Sequence, residues 1–248
     1  MEEKYGTTQK SNKLTKRTIV SSIIILILIP ITILFGVFVL DDRKYVFISI
    51  LIILYTMIPF LMVFEGRKPQ AREIVIIAVL SAIAVAGRGA FFMIPQFKPV
   101  VAIVIISGVC FGGEAGFLVG AVSGFVSNFF FGQGPWTVWQ MFCFGIIGFL
   151  AGILFRKGIL RRNKIKLLLY GLLSTFFIYG GIIDIGSMMM ATGKFDFRVL
   201  LTYYATGFWF NVIHAASTVF FLFILSDTMI EKLERIKIKY GLIESGNN

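Results

Sequence analysis

The chain has 248 residues, of which 57% are hydrophobic and only 15% charged, a composition too apolar for a globular domain dissolved in water. Its 24 Lys and Arg against 13 Asp and Glu leave a formal charge of +11. These basic residues fall between apolar runs rather than on one folded face, which argues against a nucleic-acid partner and makes the charge a statement about membrane topology. The two cysteines, Cys110 and Cys143, lie inside apolar runs and read as small packing residues, and with a single histidine, His214, there is no disulfide framework or metal centre to expect. No cofactor is called for.

A hydrocarbon core of roughly 30 Å is crossed by about 20 helical residues, and unpaired backbone groups are too costly there for anything but helices or closed barrels. Thr18 to Leu40 and Tyr45 to Phe64 are the first apolar runs, joined by the charged turn Asp41-Asp42-Arg43-Lys44 into a helical hairpin. The basic segment Lys10 to Arg17 ahead of them reads as part of a signal anchor, because the apolar stretch is too long for a cleaved signal peptide and no small-residue cleavage site follows. The linker Glu65-Gly-Arg-Lys-Pro-Gln-Ala-Arg72 is the clearest break in composition. Beyond it, runs fall at Glu73 to Phe92, Pro99 to Phe111, Ala115 to Phe131, Thr137 to Phe155, Leu167 to Ala191 and Leu200 to Leu225. A charged amphipathic tail, Glu231 to Tyr240, is expected at the headgroup surface. Unbroken runs of this kind exclude the alternating pattern of a membrane barrel.

Pro99 to Phe111 is short for a crossing and is the one run that topology must arbitrate. If it crosses, 18 Lys and Arg collect on the cytoplasmic side against 6 outside; if it does not, the division becomes 10 against 14, contrary to the positive-inside preference. The expectation is therefore an all-α, polytopic bundle of about eight transmembrane helices in the cell membrane, with both termini cytoplasmic. Residues 1–64 hold the N-terminal tail and an extra hairpin, 65–240 a six-span core, and 241–248 a C-terminal tail.

Within the core, Ala78, Ala82, Ala86 and Ala90 recur every four residues and line one helix face with methyl groups, suited either to internal packing or to a partner helix. Gly112, Gly116, Gly120 and Gly124 form a glycine ridge on the next long span, and Gly148 and Gly152 a shorter one, best read as tight packing. Polar residues inside spans are costly and point to function. The predicted topology puts Arg88, Gln96, Asn128, Trp136, Trp139, Gln140, Asp184, Met188, Tyr203, Tyr204, Trp209 and Asn211 in the outer half. The loop Phe131-Gly-Gln-Gly-Pro-Trp-Thr137, which carries Gln133, suits a compact lid or pocket rim. Outer tryptophans and tyrosines are also ordinary interfacial anchors. Asp184 is expected to find either a ligand or an ion pair with Arg88, and His214, deeper still, an interhelical hydrogen bond. No H-E-x-x-H, G-x-S-x-G or G-x-x-x-x-G-K-[ST] is present, so protease, esterase and self-powered pump have no support.

The core resembles the S components of energy-coupling factor (ECF) transporters, small membrane subunits that capture vitamins for a shared ATP-driven module. The resemblance covers Glu65 to Tyr240. It is carried by Ala78-Val-Leu-Ser-Ala82, similar to the family's A-x-x-x-A docking face, by the turn Phe111-Gly-Gly-Glu-Ala-Gly116, and by Gly132-Gln-Gly-Pro-Trp-Thr-Val-Trp-Gln-Met141, which resembles the outer loop and fourth core helix of a cobalamin-type or uncharacterised subgroup. The N-terminal hairpin departs from the usual pattern. The resemblance implies a binding subunit without catalytic residues, a vitamin-like substrate with a lean to a corrinoid, and a site at the outer face beneath the loop Phe91 to Lys98. It also implies a T component and two ATPase subunits as partners, with the whole subunit tilting in the lipid to give access. Arg88, Gln96, Asn128, Gln133, Trp136, Trp139, Gln140, Asp184 and Asn211 are assigned to ligand, Ala78 and Ala82 to docking. The competing reading is a self-contained secondary transporter with Asp184 and His214 as a proton relay; a membrane enzyme using the same two groups is a third.

Overall fold

The structure, a computed structural model, describes residues 16–40, 44–62, 71–158 and 163–241. The basic N-terminal segment up to residue 15, residues 41–43 of the hairpin turn, linker residues 63–70 and the tail from residue 242 lie outside the described residues. The regular structure of the described residues is all helical, with no strand among them.

The first span consists of α1 (Lys16–Ile23), a π turn (Ile24–Leu28) and α2 (Ile29–Val39), run together without a break. The widened turn has a cause in the sequence: Pro30 at the start of α2 has no N–H and would clash with the carbonyl one turn back, and a π turn absorbs that misfit. Helix α3 (Tyr45–Met62) returns beside it. The pair lies against α6 (Gly113–Phe131) and α7 (Trp136–Arg156), where Ile25, Ile29, Ile33, Val37, Ile48 and Ile52 share one buried cluster with Phe117, Ala121 and Phe149.

Helix α4 (Ala71–Ala90) leads through residues 91–99 to α5 (Val100–Phe111), the centre of the molecule. All twelve residues of α5 are buried, enclosed by α4, α6, α7, α8 and α10. At 1.5 Å per residue α5 is about 18 Å long, well short of a bilayer core. Six helical segments are long and apolar enough to cross a membrane, and α3 and α5 add two shorter apolar ones. The chain is thus a multi-pass membrane protein built as a helix bundle.

Glycines set the distances around α5. A Cβ at Gly108 would stand 2.1 Å from the carbonyl oxygen of Gly148, and one at Gly148 would stand 2.5 Å from that of Gly116, so three backbones meet where no larger residue fits. The α5–α6 reversal passes through Gly112 at φ +94° and the α6–α7 turn through Gly132 at φ +97°, both unfavourable for other residues. The glycine ridges are therefore internal seams. Both cysteines are buried, and neither is in a disulfide.

The seventh run is a composite of α8 (Lys164–Leu173), a second π turn (Ser174–Gly180) and α9 (Gly181–Thr192). Asn163 caps α8 by accepting from the N–H groups of Ile165 and Lys166, and Asp196 caps α10 by accepting from those of Arg198 and Val199. Helix α10 (Phe197–Tyr240) departs from expectation. The tail Glu231 to Tyr240, expected at the headgroup surface, is the end of the same 44-residue helix as the run that ends at Leu225, and Met229, Ile230 and Leu233 between and within them pack against the α5 core. Lys237 at its far end donates to the carbonyl of Cys110 at 3.2 Å. The charged tail is a continuation of the last span, because loss of apolar residues ends the membrane segment without breaking the helix.

Candidate functional site

A polar side chain buried among apolar helices costs free energy unless it finds a partner. One end of the bundle gathers such groups, where α4, α6 and α9 finish and α5, α7 and α10 begin. Arg88, in the last turn of α4, is 8% exposed. Its Nη1 donates to Ser127 Oγ and, at 2.9 Å, to Asn128 Oδ1, both on α6. Asn128 in turn donates through Nδ2 to Thr137 Oγ1 at 3.0 Å and to Gln140 Oε1 at 2.9 Å on α7. The Phe131 ring lies 4.6 Å from the Arg88 guanidinium carbon and 5.0 Å from the Lys98 ammonium, so both cations share one aromatic face or edge of the site.

A second group faces it across α7. Asp184 on α9 accepts from Asn211 Nδ2 on α10 at 3.0 Å. Close approach here depends on missing side chains: a Cβ at Gly207 would stand 2.8 Å from Asp184 Oδ1, one at Gly180 2.6 Å from the Asn211 amide carbon, and one at Gly186 2.6 Å from the Trp139 ring. Between the two groups, Tyr179 stacks on Phe144 with centroids 5.1 Å apart and meets the His214 ring edge-on at 4.5 Å. Tyr179 and Gly180 belong to the π turn of the seventh span, a backbone irregularity that often accompanies functional sites.

Five buried side-chain polar atoms have no hydrogen-bond partner among the described residues; three are the hydroxyls of Ser49, Ser123 and Ser226, and the two ring nitrogens are both here: Trp139 Nε1, on a residue 6% exposed, and His214 Nδ1, on a residue 3% exposed. The interhelical bond expected of His214 is absent at that atom. The Arg88–Asp184 ion pair is absent too, since each residue is engaged by neutral groups instead.

Residues 91–99 dip into this end of the bundle. The Lys98 N–H donates to Ser217 Oγ at 2.8 Å, and the same hydroxyl donates to the Lys98 carbonyl at 3.1 Å. Phe91 and Phe97 pack edge-on or tilted against Phe221. Ser217 lies about 30 Å along α10 from its first residue, Phe197, so α5 begins deep beside the middle of that helix.

The residues singled out from sequence divide accordingly. Arg88, Asn128 and Gln140 form one network, and Asp184 and Asn211 a second, with Trp139 against Gly186 nearby. Gln133 holds its own turn, donating to the Phe125 carbonyl at 3.0 Å and accepting from Thr137 Oγ1 at 2.9 Å. Trp136 is 42% exposed with its ring folded over Gly134, apart from the buried groups. Gln96 is half-buried in a left-handed conformation, φ 57°, and makes no hydrogen bond with the described residues. Ala78 and Ala82 are exposed on α4 among Ile74, Val75, Val79 and Ile83. Lys98, Ser127 and Tyr179 were not foreseen as site residues: a lysine in a loop reads as solvated, and serine and tyrosine inside a span read as packing.

Residues 68–231, more than half of the chain, match the family of ECF-type riboflavin transporter S components. A UPF0397 protein of Vibrio atlanticus is 29% identical over 125 residues, covering 48% of this chain and 68% of that protein. A UPF0397 protein of Aliivibrio fischeri is 32% identical over 102 residues, 39% of this chain and 54% of that protein. One of Aliivibrio salmonicida is 31% identical over 125 residues, 48% of this chain and 66% of that protein. The chain thus spans between about half and two thirds of the length of these relatives. No solved structure matches. With a match that runs from the start of α4 into the far part of α10, the chain belongs to the family of ECF-type riboflavin transporter S components.

Proposed function

We propose that the chain is the substrate-binding subunit of an ECF-type importer and captures a vitamin-type molecule between the Arg88–Asn128–Gln140 and Asp184–Asn211 networks. The observation that carries this is the pair of unpartnered buried polar atoms, Trp139 Nε1 and His214 Nδ1, inside an otherwise bonded cluster. Buried donors and acceptors without partners cost about 1–3 kcal/mol each, and a ligand that supplies partners recovers that cost on binding. Trp139, Tyr179 and Phe144 offer aromatic surface for a flat ring, and the amides of Asn128, Gln140 and Asn211 offer hydrogen bonds to its edge. Riboflavin, the ligand in the family's description, is a molecule of this kind; a corrinoid is tested beside it.

The positive-inside distribution orients the site toward the outer face and both termini toward the cytoplasm. The exposed alanine face of α4, at Ala78 and Ala82, then receives a T component that carries two ATPases, and small side chains let the subunit tilt against it without locking. In this reading residues 65–240 perform binding and the hairpin of α1–α3 buttresses α6 and α7.

The test is the melting temperature of the purified protein in detergent with a panel of water-soluble vitamins that includes riboflavin and cobalamin. A ligand at about 100 times its Kd stabilises the folded state by about 2.7 kcal/mol. A shift for one vitamin, reduced by Trp139→Ala, is the expected result. Uptake by the protein alone in proteoliposomes, driven by a proton gradient, would instead establish a self-contained transporter.

A further inference from the structure

We propose that the ligand bears an oxyanion, a carboxylate or a phosphate, seated between Lys98, Arg88 and the N-terminus of α5; this rests on the binding-subunit reading above and specifies its substrate class. Four observations converge on the place. First, Arg88 is buried with Ser127, Asn128 and the Phe131 ring as its partners among the described residues, and Lys98 approaches the same ring. Neither forms an ion pair with a described carboxylate. A buried cation is ordinarily paired, so Arg88, with half-buried Lys98 beside it on the same ring, leaves positive potential unanswered.

Second, the helix dipoles separate the two. Arg88 lies at the C-terminal ends of α4 and α6, where partial negative charge offsets part of its own, whereas Lys98 precedes the N-terminus of α5, where partial positive charge adds to it. Third, that N-terminus is uncapped. Pro99 gives α5 no side-chain hydrogen bond, and Val100, Val101 and Ala102 are buried, so the first N–H groups of the helix lie inside the protein without a side-chain cap. A short helix whose uncapped N-terminus lies inside the bundle is a recurrent way for membrane proteins to hold an anionic substrate group.

Fourth, His214 stands one turn along α10 from Ser217, the residue that pins the Lys98 backbone, and its Nδ1 has no partner among the described residues. A ring nitrogen so placed can donate to an oxyanion oxygen. The carboxylate on the other side of the cluster, Asp184, is already bonded to Asn211 and suits the uncharged or donor end of the same molecule. Between two ligands with the same ring the arrangement favours the anionic one, riboflavin 5′-phosphate over riboflavin for instance, because a molecule without a negative group would leave Lys98 and the α5 N–H groups as they are.

The experiment uses the full chain purified in detergent and compares matched pairs: nicotinamide with nicotinate, pantothenol with pantothenate, and riboflavin with riboflavin 5′-phosphate. The anionic member of a binding pair is expected to bind roughly tenfold more tightly, and Lys98→Met is expected to erase the preference. Lys98→Met is the variant of choice because the backbone of Lys98, not its side chain, anchors the loop to Ser217. Equal affinity for both members of every binding pair would overturn the proposal. If no vitamin binds, the substrate class of the preceding section fails, and inorganic phosphate still decides the present point. A phosphate-induced rise in melting temperature, relative to chloride at equal ionic strength, that is larger in wild type than in Lys98→Met supports an oxyanion site; equal rises in both refute it.

Discussion

The two ends of the bundle treat buried charge in opposite ways. At the Arg156 end, Glu114 is only 3% exposed but lies 3.8 Å from Arg156 Nη2 and accepts from Ser21 Oγ of the hairpin at 3.3 Å. Lys237 there donates to a backbone carbonyl, and Lys164 pairs with Asp227 at 2.6 Å. At the Arg88 end, among the described residues, a guanidinium buried to a similar degree hydrogen-bonds to neutral groups, a carboxylate to an amide, and two buried ring nitrogens to nothing. Burial alone therefore does not identify a functional charge. What separates a structural charge from one held ready for a ligand is whether the fold has already compensated it.

The contrast is sharpest in what mutation should disturb. Glu114→Ala removes the buried partner that joins the hairpin, α6 and α7, and should lower stability by about 3 kcal/mol while leaving ligand affinity unchanged. Parallel melting and binding titrations check this, and a loss of affinity without a loss of stability would erase the distinction between the ends. Next in size, Gly207→Ala places a methyl group against the Asp184 carboxylate. Overpacking of this kind costs about 1–3 kcal/mol, and it should show as a drop in affinity of roughly tenfold, measurable by calorimetry against the vitamin that stabilises wild type.

Asp184→Asn is expected to act more narrowly. Asn211 retains an oxygen to donate to, so the melting temperature of the ligand-free protein should barely move, whereas affinity should fall by a factor corresponding to about 1 kcal/mol. A large fall in stability instead would mark Asp184 as part of the scaffold. The smallest effect concerns pH. Burial, and then the nearby Arg88 guanidinium, hold the Lys98 ammonium below the ordinary lysine range. The unfolded chain therefore binds that proton more tightly than the folded one, and this group's contribution to stability should rise as pH increases from the lowered folded value toward the ordinary one. Melting curves across that alkaline window should slope upward in wild type relative to Lys98→Met.

Much of the fold was legible because a bilayer imposes one rule on every residue: a long apolar run must be helical. The eight runs read from sequence match the helical segments to within a few residues at most boundaries. The last is the exception: apolarity ends near Leu225, but the helix continues through i,i+4 partners such as Glu231 and Arg235 to Tyr240. The short run Pro99 to Phe111 was recognised as unusual from its length, yet nothing in its composition says that it is enclosed on every side. The glycine ridges were correctly read as packing, although the three-way seam of Gly108, Gly116 and Gly148 requires knowing which helices touch.

For the candidate site, depth was readable and lateral position was not. Counting residues from the span ends placed Arg88, Asn128, Gln140, Asp184 and Asn211 at a common level, and the fold does bring them to one end. It could not show that Arg88 bonds Asn128 rather than Asp184, because helices at equal depth can lie on opposite sides of a bundle. Lys98 and Tyr179 were passed over for a related reason. A lysine before Pro99 looks solvated until the loop is seen to dip beside Ser217, and a tyrosine in an apolar span looks like filler until a π turn rotates it toward His214.

Sequence by itself determined the solvent of this protein, the number and approximate limits of its apolar helices, and a family resemblance that the comparison with known proteins bore out, since these depend on local hydrophobicity and on short motifs. Only the tertiary structure decided which buried charges are compensated, where the N-terminus of α5 comes to rest, and which glycines make room for which side chains. Those properties depend on distances between residues far apart in the chain, and packing sets them.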